Sequence, residues 1–113
     1  MNLNSALDKI PNYKGTVTRS LEFYDDETLQ TFLKSYSVGG SIGYKEFLST
    51  TRGETYNPDG QVQITIVDAE NGKDISLFNF KEKEVLYNTN TSFKVEELIT
   101  QDGKTFVKLA ERK

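Results

Sequence analysis

The sequence predicts an α+β fold: one or two short helices at the front, then roughly six or seven short strands in two mainly antiparallel sheets packed face to face. Three observations lead there. Apolar residues recur at helical spacing only before residue 40, and beyond residue 60 they alternate with polar ones between turn dipeptides. The chain has 113 residues, which is one domain able to bury roughly two thirds of the surface its unfolded form exposes.

Leu3, Leu7 and Ile10 share one helical face before Pro11 closes it, which predicts a short N-terminal helix. Tyr13 to Leu21 sets Val17 among threonines, a β-branched run that favours a strand and carries Arg19 near its end. Asp25 and Asp26 are good helix caps, and Leu29, Phe32, Leu33 and Tyr36 follow at helical spacing until Gly39-Gly40, so a helix is expected over 26–36. The glycine-rich stretch Gly39 to Lys45 lacks the spacing of a phosphate loop or a dinucleotide fingerprint and reads as a helix stop followed by a flexible turn. Tyr44 to Thr51 reads as a strand ending in hydroxyls, and Arg52 to Gly60 as a loop rich in turn residues.

Val62, Ile64 and Ile66 then alternate with polar residues, and Asn71-Gly72 signals a hairpin into Asp74 to Phe78. Glu84 to Tyr87, Ser92 to Ile99 and Thr105 to Ala110 complete the strands, the last two joined across Asp102-Gly103.

Composition removes whole classes of chemistry. With no cysteine and no histidine, disulfides, thiolate or histidine metal sites and every Ser-His or Cys-His mechanism are excluded, leaving carboxylates, lysine and tyrosine as candidate bases. A net charge of −3 gives no basic footprint for nucleic acid. No apolar run reaches the roughly 20 residues of a membrane span, and Met1 to Ile10 is too polar for a signal peptide, so no membrane partner is expected and any export information lies elsewhere.

Three short motifs stand out. Arg19 lies among uncharged residues in a chain with only three arginines, and a strand-borne arginine can grip a phosphate with two parallel hydrogen bonds. Ser49-Thr50-Thr51 could orient a substrate or another side chain. Glu82 and Glu84 are two residues apart, which in extended chain puts both carboxylates on one face with Cα atoms about 6 to 7 Å apart. Such a pair can divide labour, one stabilising an oxocarbenium ion and the other orienting a nucleophile. Taken singly, each motif reads equally as a surface salt bridge, a strand edge or a solvated strand.

Thr18-Arg19-Ser20, Phe47-Leu48-Ser49-Thr50-Thr51, Glu82-Lys83-Glu84-Val85-Leu86-Tyr87 and the trailing Ser92-Phe93-Lys94-Val95, in this order, resemble the arginine-specific mono-ADP-ribosyltransferases, a group that includes bacterial toxins built on an Arg, Ser-Thr-Ser, Glu-x-Glu pattern. The resemblance runs from about Leu7 to Glu111. It implies an NAD cleft between the two sheets, with NAD as substrate and no metal. Arg19 would hold an NAD phosphate, with the backbone beside it, at Ser20, facing the nicotinamide amide. Phe47 would wall the nicotinamide pocket, with the Ser49-Thr50 hydroxyls lining the NAD site and Tyr56 closing over it. Ser49 would orient Glu84, and Glu84 would bind the ribose 2′-hydroxyl while Glu82 engages the acceptor guanidinium. Phe78 or Phe80, in the turn over Leu77 to Lys81, would recognise the protein target.

Thr51 stands where the pattern has serine and Ser20 where it has glycine, and only 18 residues precede Arg19, where relatives carry a longer helical part. The resemblance further implies a secreted or delivered monomer that acts in a target cell, and an immunity protein in its producer. An NAD glycohydrolase and a non-catalytic module docking a partner through Leu77 to Phe80 are the competing readings.

Overall fold

The computed structural model describes residues 9–46, 48–52, 60–75 and 83–112. The chain enters its first strand, β1 (Gly15–Leu21), and then a helix, α1 (Asp26–Leu33). Asp25 caps that helix by accepting from the Thr28 N–H at 2.7 Å, and Asp26 and Glu27 place negative charge at the positive end of its dipole. Leu29 is buried, and Phe32 stacks between Phe23 and Tyr36 at ring separations of 5.0 and 4.9 Å. The helix ends at Leu33, three residues before the expected Tyr36, because Tyr36 leaves the helical path: its N–H closes a tighter turn onto the Leu33 carbonyl, and its ring is only 6% exposed. The helix expected before Pro11 lies, up to residue 8, outside the described residues, and Lys9 and Ile10 form a turn.

The glycine-rich stretch is not a loop. Ser41–Tyr44 forms β2, paired antiparallel with β7 (Thr91–Gln101), and Gly39 and Gly40 start the ladder by exchanging hydrogen bonds with Val95 at 2.8 and 2.9 Å. The single strand expected over Tyr44 to Thr51 is therefore two, β2 and β3 (Leu48–Arg52), in distant parts of the sheet. The rest follows as β4 (Val62–Ala69), β5 (Lys73–Asp74), β6 (Glu84–Tyr87) and β8 (Lys104–Glu111). Asp102-Gly103 turns β7 into β8 with positive φ at both residues, 52° and 77°, the geometry that favours this dipeptide in tight hairpins.

Asn71-Gly72 does not make a hairpin. β5 pairs with β6 and not with β4, so the segment is a corner carrying the chain from the middle of the sheet to its far edge. Glycine is required there by proximity: a Cβ on Gly72 would stand 2.5 Å from Val85 Cγ1.

Two separate sheets were expected; among the described residues there is one hydrogen-bonded ladder of eight strands, β2-β7-β8-β4-β1-β3-β6-β5. All its pairings are antiparallel except that of β4 with β8. The ladder folds over on itself. β6 stands five places from β7, about 24 Å away in a flat sheet at about 4.8 Å per strand, yet the rings of Tyr87 and Phe93 meet edge to face at 5.1 Å. The two halves thus face each other across a core of Val17, Leu48, Ile64, Ile66, Val85, Tyr87, Phe93, Val95, Val107 and Leu109, each of which contributes about 1.5–3 kcal/mol if it is a large aliphatic or aromatic side chain taken fully out of water.

Candidate active site

β3 and β6 have two distinct faces. Leu48 and Thr50 on β3, with Val85 and Tyr87 on β6, are buried, while Ser49, Thr51, Glu84 and Leu86 are half-buried on the other side. The register sets Thr51 directly opposite Glu84 and Ser49 opposite Leu86, so Ser49 and Glu84 are diagonal neighbours on the outer face. The Ser49 hydroxyl donates to Glu84 Oε2. From the neighbouring strand β1, Arg19 Nη1 donates to the Ser49 carbonyl at 2.8 Å. A continuous hydrogen-bonded chain, Arg19 to Ser49 to Glu84, therefore crosses three adjacent strands.

Chemically, the arrangement offers a fixed cation and a fixed carboxylate. The guanidinium carries five N–H donors, of which the Ser49 carbonyl takes one, leaving its fork for an anion such as phosphate. Glu84 receives the serine proton on one oxygen, and Oε1 retains the capacity to accept from a hydroxyl. Among the described residues no three acidic side chains converge as a metal site.

One expected ligand residue points elsewhere. Thr50 lies on the core face, 2% exposed, and donates to the Val85 carbonyl at 2.6 Å, because strand alternation turns it away from Ser49. Its hydroxyl holds β3 to β6. The Ser20 hydroxyl donates to Gln63 Oε1 at 2.7 Å, and Gln63 in turn donates to the Gly60 carbonyl at 2.8 Å, so the Ser20 side chain ties β1 to β4 and leaves only its backbone beside Arg19. Glu82, Phe47, Tyr56, Phe78 and Phe80 lie outside the described residues.

Two residues that the sequence assigns only to packing pair through their hydroxyls. The hydroxyls of Tyr36 and Tyr44 are 2.5 Å apart. Burial raises both hydroxyls above the usual tyrosine value, and at each the positive charge of Arg19 acts in the opposite direction. In the sequence they are an aromatic at helical spacing and the first residue of an expected strand, and neither pattern signals a site. At the far end of β6, Tyr87 donates to Glu111 at 2.7 Å and the N–H groups of Glu70 and Asn71 donate to the same carboxylate at 2.9 Å. Glu111 thereby fixes the corner at residues 70–72.

No protein-family model matches the chain. Over 106 residues, 91% of its length, it is 36% identical to the NAD(+)--protein-arginine ADP-ribosyltransferase Tre1 of Serratia proteamaculans, and it spans 22% of that relative. Among solved structures it is similar to the ADP-ribosyltransferase HopU1 of Pseudomonas syringae, with a TM-score of 0.75 and 24% identity over 96% of this chain and 50% of that one. It is equally similar to the ADP-ribosyltransferase Vis of Vibrio splendidus in complex with agmatine, with a TM-score of 0.73 and 22% identity over 98% of this chain and 55% of Vis. The fold is that of the ADP-ribosyltransferases, and the resemblance read from the motifs extends to a relative named for arginine as acceptor.

Proposed function

We propose that this chain is the catalytic domain of a mono-ADP-ribosyltransferase that transfers ADP-ribose from NAD to an arginine of a target protein. The observation that carries the reading is the Arg19–Ser49–Glu84 chain, which ties a phosphate grip to a ribose-directed carboxylate across three adjacent strands. Arg19 holds a phosphate of NAD. Glu84, oriented by Ser49, accepts a hydrogen bond from the 2′-hydroxyl of the nicotinamide ribose.

As the bond between ribose C1′ and the nicotinamide nitrogen breaks, its electron pair leaves with nicotinamide and the ribose becomes oxocarbenium-like. The hydrogen bond to Glu84 strengthens as that charge grows, so it lowers the barrier more than it strengthens ground-state binding. A guanidinium nitrogen of the target then attacks C1′ and loses a proton. Glu82, two residues before Glu84 in the sequence, would orient the guanidinium and receive that proton. Arginine as the acceptor is supported by the name of the Serratia relative and by agmatine in Vis, since agmatine carries the guanidinium of arginine. Phe47 and Tyr56 would enclose the nicotinamide end, and Phe78 or Phe80 would contact the target. The similar structures include a toxin and a type III effector, which supports action inside a target cell; an immunity partner in the producer would go with that role.

The test is incubation with labelled NAD and either cell lysate or agmatine, following labelled acceptor and free nicotinamide. Glu84→Ala is expected to lower transfer by about 10²-fold to 10³-fold. Glu82→Ala is expected to abolish transfer while leaving hydrolysis by water. Nicotinamide release with no labelled acceptor in either assay would favour the glycohydrolase reading, and a folded chain giving neither product would favour the docking module.

A further inference from the structure

Two residues of β3 flank Glu84 on its half-buried face. Ser49 lies diagonally across and donates to the carboxylate, while Thr51 lies directly opposite. We propose that Thr51 is a second positioning residue for Glu84: its γ-methyl group packs on the Cβ–Cγ stem of the glutamate and fills the space into which the carboxylate would otherwise swing away from Ser49.

The register decides how close the two residues stand. The Arg52 N–H donates to the Lys83 carbonyl at 2.7 Å, which makes Arg52 and Lys83 a hydrogen-bonded pair of the antiparallel ladder. The two kinds of pair alternate, so Thr51 and Glu84 form a non-hydrogen-bonded pair, with Cα atoms about 4.5 Å apart and side chains closer than in the hydrogen-bonded kind. A carboxylate that leans from this place to Ser49 lays its methylenes beside Thr51. Thr51 has no room to withdraw, because Thr18 of β1 pairs with it on the other side and is only 6% exposed. Branching at Cβ also restricts χ1, so the methyl group is a fixed wall where serine would leave an open slot. The two contacts then divide the task. Ser49 holds the head of Glu84 by a hydrogen bond, for which water and ligand hydroxyls compete, and Thr51 holds the stem by an apolar contact for which they do not. The Ser-Thr-Ser pattern ends in serine, so this methyl group is a feature of the present chain.

The inference rests on the NAD reading of the site and is tested on the 113-residue chain by nicotinamide release and transfer to agmatine. Thr51→Ser keeps the hydroxyl and removes the methyl group. It is expected to lower kcat about fourfold, the factor that one buried methyl group is worth, with KM for NAD and the thermal midpoint nearly unchanged. Thr51→Val keeps a γ-methyl group and removes the hydroxyl, and its kcat is expected to exceed that of Thr51→Ser. In Glu84→Ala, where no carboxylate is left to position, adding Thr51→Ser is expected to have no further effect, because both changes act through one group. An unchanged kcat or a raised KM in Thr51→Ser, a larger loss of kcat in Thr51→Val than in Thr51→Ser, or a full Thr51→Ser effect in the Glu84→Ala background would overturn the inference alone. A folded wild-type chain that releases no nicotinamide would overturn it together with the proposed function.

Discussion

Ser49 is held at both ends, its carbonyl by Arg19 and its hydroxyl by Glu84, so it transmits the position of one functional group to the other. Ser49→Ala is expected to lower kcat about tenfold by freeing the Glu84 carboxylate to rotate, with KM for NAD nearly unchanged and the thermal midpoint preserved. Its neighbour Thr50 predicts the reverse pattern. Thr50→Val removes a buried donor to the Val85 carbonyl and is expected to lower unfolding free energy by about 1 kcal/mol in urea titration, leaving NAD affinity intact. Arg19, Ser49 and Glu84 were legible as a group because each is a polar residue of special chemistry on a segment that otherwise reads as strand. Thr50 was misplaced because a run of three hydroxyl residues hides the alternation that sends it inward. Tyr36 and Tyr44 were not legible as a pair, since their hydroxyls meet only where the chain turns from α1 into β2.

Among the elements, those closed by local chemistry were read closely and those closed by distant partners were not. The Asp25 cap fixed the start of α1, and Asp102-Gly103 fixed the β7–β8 hairpin. Asn71-Gly72 carries the same kind of signal, yet here glycine serves a close approach to Val85 and Tyr87 at a corner. Gly72→Ala would push a methyl group into the Val85 side chain and is expected to cost about 1–3 kcal/mol, seen as a lower thermal midpoint. β2 escaped notice because Ser41 and Gly43 carry little strand propensity; its pairing with β7, not its own side chains, makes it a strand.

At the scale of the whole molecule, Tyr36, Tyr44 and Tyr87 all have hydroxyls raised by burial, and Tyr87 is raised further by donating to Glu111. A raised tyrosine holds its proton in the folded state where the unfolded chain has lost it. Their contribution is therefore complete below the usual value of 10.0 and is lost as pH rises above it. Urea unfolding is expected to show constant stability from these groups up to pH 9, then a decline of up to about 1.4 kcal/mol per pH unit for each tyrosine that stays protonated in the fold. The α+β class and most strands could be read from the sequence, but the single ladder could not, because it depends on β8 running parallel to β4, a pairing between segments about forty residues apart. That placement also has a consequence in time. β8 lies between β4 and β7 and joins the two halves, so the half that contains β1 and the half that contains β2 stay unconnected until residues 104–111 have left the ribosome. During synthesis Arg19, Ser49 and Glu84 can already stand on the adjacent strands β1, β3 and β6, but the half of the ladder that faces them is joined to theirs only when residues 104–111 pair with β4 and β7.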